Sequence, residues 1–190
     1  MIRLTKKVVL MGCLLLPLAA QAGQLSEAEF KAQAKQKAMQ LGKTLKQNLQ
    51  QAVKAGGLPN GVQVCKDIAP AIAAQLSTDG WQVGRTALKV RNPQNRADSW
   101  EKSSLMAMVK GLEEGLEPGA LVQVHVDDTA GEYRFMAPIM TDGLCLNCHG
   151  AALAPAVKEA IKQRYPEDQA TGFAAGDLRG AFTVRYQQDD

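Results

Sequence analysis

The chain is poor in the residues that carry most metal and acid–base chemistry: 190 residues hold two histidines and four cysteines. Four cysteines are too few for a disulfide framework of the kind that holds small secreted domains together. Charge of one sign is also lacking, since 22 basic and 19 acidic residues leave only +3, too little to recommend a nucleic-acid partner. Aromatic residues are 5% of the chain, yet 46% is hydrophobic and Gly and Pro number 17 and 8. That composition excludes a disordered or collagen-like chain and fits one ordinary globular domain. No internal repeat, low-complexity run or domain-splitting linker is present.

The one sustained apolar run lies at the start. Arg3, Lys6 and Lys7 precede Val8 to Ala20, and Ala20-Gln21-Ala22 is a small-x-small cleavage signature. The run is 13 residues, interrupted by Pro17, and falls short of the roughly 20 needed to span a bilayer. Residues 1–22 are therefore expected to be a signal peptide cleaved before Gly23, leaving no membrane anchor. Leu10-Met11-Gly12-Cys13 resembles a lipoprotein box, but cutting there would strand Leu14 to Ala20 as an apolar stub. Cleavage before Gly23 leaves 168 residues and removes three basic side chains, so 19 basic face 19 acidic residues and the mature charge is zero. Cys13 leaves with the leader, and three cysteines remain in a disulfide-permissive compartment.

Ser26 and Glu29 form a capping box, and Phe30, Ala34, Ala38, Leu41, Leu45 and Leu49 recur at helical spacing. A first helix is predicted to about Ala55, stopped by Gly56-Gly57, so that residues 23–57 form an N-terminal helical segment and 58–190 the main domain. Its apolar stripe is expected to pack on that domain, with a homodimeric coiled coil as the alternative. Pro59-Asn60-Gly61 opens a second helix over about Val62 to Leu76, placing Cys65 in or just after its first turn. Trp81 to Leu88 is predicted as a strand with a bulge at Gly84, and Arg91 to Ala97 as a loop. Asp98 and Glu101 cap a third helix lined by Trp100, Leu105, Met108 and Leu112. Val122, Val124 and Val126, then Tyr133, Phe135, Ala137 and Ile139, alternate as a hairpin with one buried face; a helix over Pro155 to Arg164 and a strand over Gly180 to Tyr186 follow.

Between the hairpin and that helix lies Cys145-Leu146-Asn147-Cys148-His149, the attachment pattern of a c-type haem. Two thiols three residues apart can each add to a haem vinyl group, and the adjacent histidine then reaches the iron. Chance would produce the pattern in a chain of this composition roughly once in a thousand. A redox disulfide of the thioredoxin type needs a strand before the motif and a helix after it, whereas Thr141-Asp142-Gly143 is a loop. A zinc site would need ligands from Cys65 or His125, with no paired spacing to recommend it. The single motif predicts one covalent haem c, and haem attachment outside the cytoplasm agrees with the leader.

Several further stretches resemble the family of bacterial c-type haem domains with a PAS-like fold. They are Cys65 with Ala69-Pro70, Val83-Gly84-Arg85-Thr86, Leu88 to Pro93 with Asn95, Trp100-Glu101, the haem motif with Gly150, Gly172-Phe173, and Gly176-Asp177-Leu178-Arg179-Gly180-Ala181. Ala87 and Phe173 depart mildly from that pattern, at positions where Ser and Tyr are expected. The resemblance implies an α+β, PAS-like antiparallel sheet flanked by helices, and iron held by His149 and the Cys65 thiolate. Independently, Cys65 is the unpaired third thiol of an exported domain, set near a predicted helix N-terminus that favours a thiolate; its bland alternative is a small core hydrophobe. Met106, Met108, Met136 and Met140 are competing ligands, while His125 shares a strand face with Gln123 and Asp127 and is expected to be solvated. Arg85, Lys89, Arg91 and Arg96 are candidates for pairing with haem propionates.

The functional expectation is a periplasmic haem redox or diatomic-gas sensor that signals through a partner protein, not an enzyme. The alternative is an electron-transfer cytochrome with both axial ligands fixed. A small peroxidase is disfavoured, because no distal histidine–arginine pair is evident.

Overall fold

The computed structural model describes residues 25–188, so the predicted leader and Cys13 lie outside the described residues. Helix α1 spans Glu27–Asp67, started by the Ser26–Glu29 capping box. Gly56 and Gly57 break its geometry, Gly57 at φ 72°, so two helical pieces meet at a kink rather than at a loop. Helix α2 (Ala69–Leu76) follows at once, with Pro70 in its first turn, where a missing N–H costs nothing. Strand β1 (Trp81–Thr86), helix α3 (Ser99–Glu113), strands β2 (Gln123–Asp127) and β3 (Glu132–Met140), the single turn α4 (Leu146–His149), helix α5 (Pro155–Arg164) and strand β4 (Leu178–Gln187) complete the chain.

The four strands form one antiparallel sheet in the order β1-β4-β3-β2, giving the expected α+β fold with a long N-terminal helix. Two readings need correction. Gly84 is not bulged: β1 pairs with β4 in unbroken register from Trp81↔Tyr186 to Thr86↔Ala181, and the irregularity lies between Ile139 and Met140. The hairpin is buried on two faces rather than one, because helices cover both sides of β3. Tyr133 and Phe135 face α1, in a core with Phe30, Ala34, Ala38, Leu41, Trp81 and Val184. Met136 packs on the other side with Leu105, Met108, Leu121 and Ala181.

The small residues of the α1 stripe have a packing reason. A Cβ on Gly42 would lie 2.7 Å from the Phe182 ring, so glycine lets the helix lie close on the sheet. Phe30 stacks on Trp81 at 5.7 Å and tilts against Tyr133 at 5.3 Å, anchoring the N-terminal half of α1. A third cluster, Val62, Val157, Ile161 and Tyr165, fastens the piece of α1 beyond the kink to α5. Among the described residues, no helix is long and apolar enough to cross a membrane.

Candidate functional site

Asp142 starts the local structure of the cysteine motif. Its Oδ1 accepts from the amides of Leu144 at 3.0 Å and Cys145 at 3.2 Å, and from Cys145 Sγ at 3.2 Å. The backbone then makes one helical turn, with the His149 amide donating to Cys145 O at 2.9 Å and Gly150 N to Leu146 O at 2.9 Å. Cys145 and Cys148, three residues apart on that turn, therefore share a face. Gly150 is required, since a Cβ there would come within 2.6 Å of Leu146 O. The chain is then tied to a distant loop: Phe173 N donates to His149 O at 3.0 Å and Gly172 N to Gly150 O at 3.2 Å.

That loop also fixes the imidazole. His149 Nδ1 lies 2.7 Å from Ala170 O. A carbonyl can only accept, so Nδ1 carries the proton and Nε2 keeps its lone pair. Arg179 Nε, 3.2 Å from the same Nδ1, thus faces a protonated nitrogen. Burial, with the Arg179 and Arg91 cations nearby, pushes His149 down to about 3, so the ring is neutral across the physiological range. The Ala170 carbonyl is in turn held by Arg91, whose guanidinium also donates to Cys148 O at 2.7 Å and pairs with Asp168 at 3.0 Å. With Arg91 and Asp168 side chains 10% and 8% exposed, this buried hub joins the motif turn to the loop beneath the ring.

A cavity of about 220 Å³ gathers the predicted residues: Cys65, Cys145, Cys148 and His149 all line it, with Leu49, Val53, Leu58, Val62, Val90, Ile139 and Leu144 as apolar walls. A second apolar cavity of about 350 Å³ adjoins it through Leu49, Cys65, Arg85, Ile139, Leu144 and Cys145. The three described cysteines are free thiols. Among the described residues, no cluster of three or more His, Cys, Asp or Glu is arranged to hold a metal ion directly, so the set does not suit a zinc site. It does suit a largely apolar cofactor, with two thiols on one helical turn and an imidazole and a third thiol in the same walls. Two polar groups in the walls also await partners. The buried Thr86 hydroxyl has none, and Arg85 makes no hydrogen bond or ion pair among the described residues.

The location of Cys65 overturns one expectation. It sits near the C-terminal end of α1, not in or just after a first turn, so the helix start expected to favour its thiolate lies at the far end of that piece. Burial raises the thiol; the Arg85 and Arg91 cations pull against that, and they supply the favourable field that the helix was expected to give. Among the competing ligands, Met108 and Met136 are buried in the core on the α3 side and Met106 is exposed. His125 is exposed against Trp100, and only Met140 lines the adjoining cavity. Of the four basic candidates, Arg85 and Arg91 reach the cavity; Lys89 lies over Phe173 and Arg96 lines the neighbouring polar groove but not the cavity. Arg179, Asp168 and the Ala170 carbonyl also belong to the site, and no local motif marks Asp168 or Ala170 in the sequence. Only the Asp177-Leu178-Arg179-Gly180 stretch of the resemblance hinted at Arg179.

The family model described as Tll0287-like matches residues 23–186. Among solved structures, the chain is similar to the crystal structure of the cyanobacterial haem protein Tll0287, with 23% identity and a TM-score of 0.55, covering 83% of this chain and 97% of that one. Identity at that level speaks to the shared fold. No curated protein matches the chain.

Proposed function

The chain belongs to the Tll0287-like family, and on that premise we propose that it is an exported c-type haem protein acting as a redox or diatomic-gas sensor rather than as an enzyme. The observation that carries the reading is the convergence of Cys145, Cys148, His149 and Cys65 on one apolar-walled cavity, although Cys65 lies some eighty residues from the motif in sequence. The name of the similar solved protein, a haem protein, supports the same cofactor. Cys145 and Cys148 would hold one haem by thioether bonds, and His149 and Cys65 would be its axial ligands. Bound there, the haem supplies an iron centre that exchanges one electron and binds a diatomic gas where a coordination position is open.

The chain's own groups set how that centre is held. His149 presents Nε2 because the Ala170 carbonyl fixes the tautomer, and the Arg91–Asp168 pair fixes the carbonyl. Cys65 presents sulfur facing the Arg85 and Arg91 cations. Leu49, Val53, Val90 and Ile139 exclude water from the cavity faces. The position of Cys65 favours switching over a fixed carrier in this reading: it lies where the cavity meets the adjoining apolar cavity and a polar groove of about 410 Å³ that Arg85 also lines, next to polar groups that can take up a released thiol. A periplasmic location is part of the proposal, supported by the leader and by where thioether attachment takes place.

The test is electron paramagnetic resonance of the ferric protein, wild type beside Cys65→Ala, after mass spectrometry has established one covalent haem. A low-spin thiolate signal lost in the variant is expected; an unchanged signal would move the sixth ligand to another residue, Met140 first. Carbon monoxide added to the reduced protein then separates the roles. A spectral change supports sensing, and its absence supports an electron carrier.

A further inference from the structure

The cavity has a charge imbalance that its protein groups do not resolve. Three guanidiniums, Arg85, Arg91 and Arg179, line it, and none of its lining residues is a carboxylate. Arg91 is neutralised from behind by Asp168. Arg85 has no hydrogen bond or ion pair among the described residues, and it is set in β1 between the cavity and the polar groove. Arg179 donates to Lys89 O at 3.1 Å and its Nε lies 3.2 Å from His149 Nδ1, with Phe173 against its flat side at 5.3 Å, so its remaining guanidinium N–H groups have no protein acceptor among the described residues. Two cations thus stand partly buried with no carboxylate in ion-pair contact, an arrangement that like-charge repulsion and desolvation both oppose.

Resting on the haem reading above, we propose that Arg85 and Arg179 are the binding site for the two carboxylates of the prosthetic group, one guanidinium to each, with the orphaned Thr86 hydroxyl an additional donor. Two guanidiniums without a carboxylate partner thus meet two carboxylates, while Arg91 serves structure through Asp168. Arginine suits the task because its planar fork can donate two parallel hydrogen bonds to a carboxylate. This assignment narrows the four basic residues suggested by sequence to Arg85, excludes Lys89 and Arg96, and adds Arg179.

The experiment compares wild type with R85Q, R179Q, R85K and R179K, all carrying covalent haem. The readouts are the propionate bending bands in resonance Raman spectra and the reduction potential. R85Q and R179Q are each expected to shift the propionate bands to lower frequency and to lower the potential, since an unpaired carboxylate favours the oxidised metal. The lysine variants should retain most of the potential while still shifting the bands, because they keep the charge and lose the fork. R85Q breaks no protein hydrogen bond, so its fold should persist by far-ultraviolet circular dichroism; a folded R85Q chain with less attached haem also counts for the proposal. Bands and potential unchanged in both glutamine variants would overturn it. A wild-type chain that takes up no haem would instead overturn the underlying reading, and that is visible before any variant is made.

Discussion

Replacing Arg91 by methionine tests the structural hub beneath the proposed axial histidine. The substitution keeps the length of the stem and removes the guanidinium. Asp168, whose side chain is 8% exposed, would then keep the Ala170 amide at 3.0 Å and lose its ion pair. The carbonyl of Cys148 would lose its donor at 2.7 Å, and that of Ala170 its donor at 3.2 Å. Breaking a buried pair by removing one partner costs about 3–5 kcal/mol, because the remaining charge is stranded. For a domain of this size that corresponds to a fall in Tm of roughly 6–20 °C. Urea unfolding of the haem-loaded protein, followed by far-ultraviolet circular dichroism, would measure the loss. The double variant R91M/D168N should lose less than the sum of R91M and D168N, since no charge is left behind. A loss below about 1 kcal/mol in R91M, or strict additivity in the cycle, would refute the argument that this pair clamps the motif turn to the 168–170 loop.

Other outcomes follow from the same geometry. Phe30→Ala removes a ring that is 0% exposed and stacked on Trp81, and should cost about 3–5 kcal/mol in denaturant unfolding while leaving the haem spectrum of the folded fraction intact. Burial raises the Asp98 carboxyl, but the Glu101 amide and the Arg134 and Arg185 cations outweigh it and hold the group below its usual value. Its contribution is therefore present above about pH 4 and lost as pH falls below that; D98N, which still caps α3, should be less stable than wild type at pH 6, by no more than about 1 kcal/mol because a carboxylate more than a third exposed is screened, and should converge on it in acid titrations. Cys148→Ala should leave haem attached through Cys145 alone, seen as a shifted pyridine haemochrome band with an unchanged haem-to-protein mass ratio.

The Cys145–His149 motif behind the haem proposal is legible in the sequence because it is local: five consecutive residues carry it, and Asp142 and Gly150 set its turn within one helical step. Elements were legible for the same reason. The capping boxes at Ser26 and Asp98 fix their helices through contacts three residues apart, and both form as expected. The surroundings of Cys65 were not legible. Pro59-Asn60-Gly61 predicts a fresh helix start, whereas the chain is helical from Leu58 and puts Cys65 near that piece's end. A helix terminus is a local prediction that tertiary packing, here of Val62 on Val157 and Ile161, easily extends.

Sequence by itself determined the Cys145–His149 motif, the helical stripe of α1 and the alternation of the hairpin, all of which depend on patterns of a few residues. The tertiary structure alone decided which cations face the cavity, because Arg85, Arg91 and Arg179 come from three separate segments and meet only when β1 pairs with β4. It also decided that His149 keeps its Nε2 lone pair, since the carbonyl that fixes the proton lies 21 residues further along the chain. Charge balance and tautomer depend on groups distant in sequence, and only packing brings them within hydrogen-bonding distance.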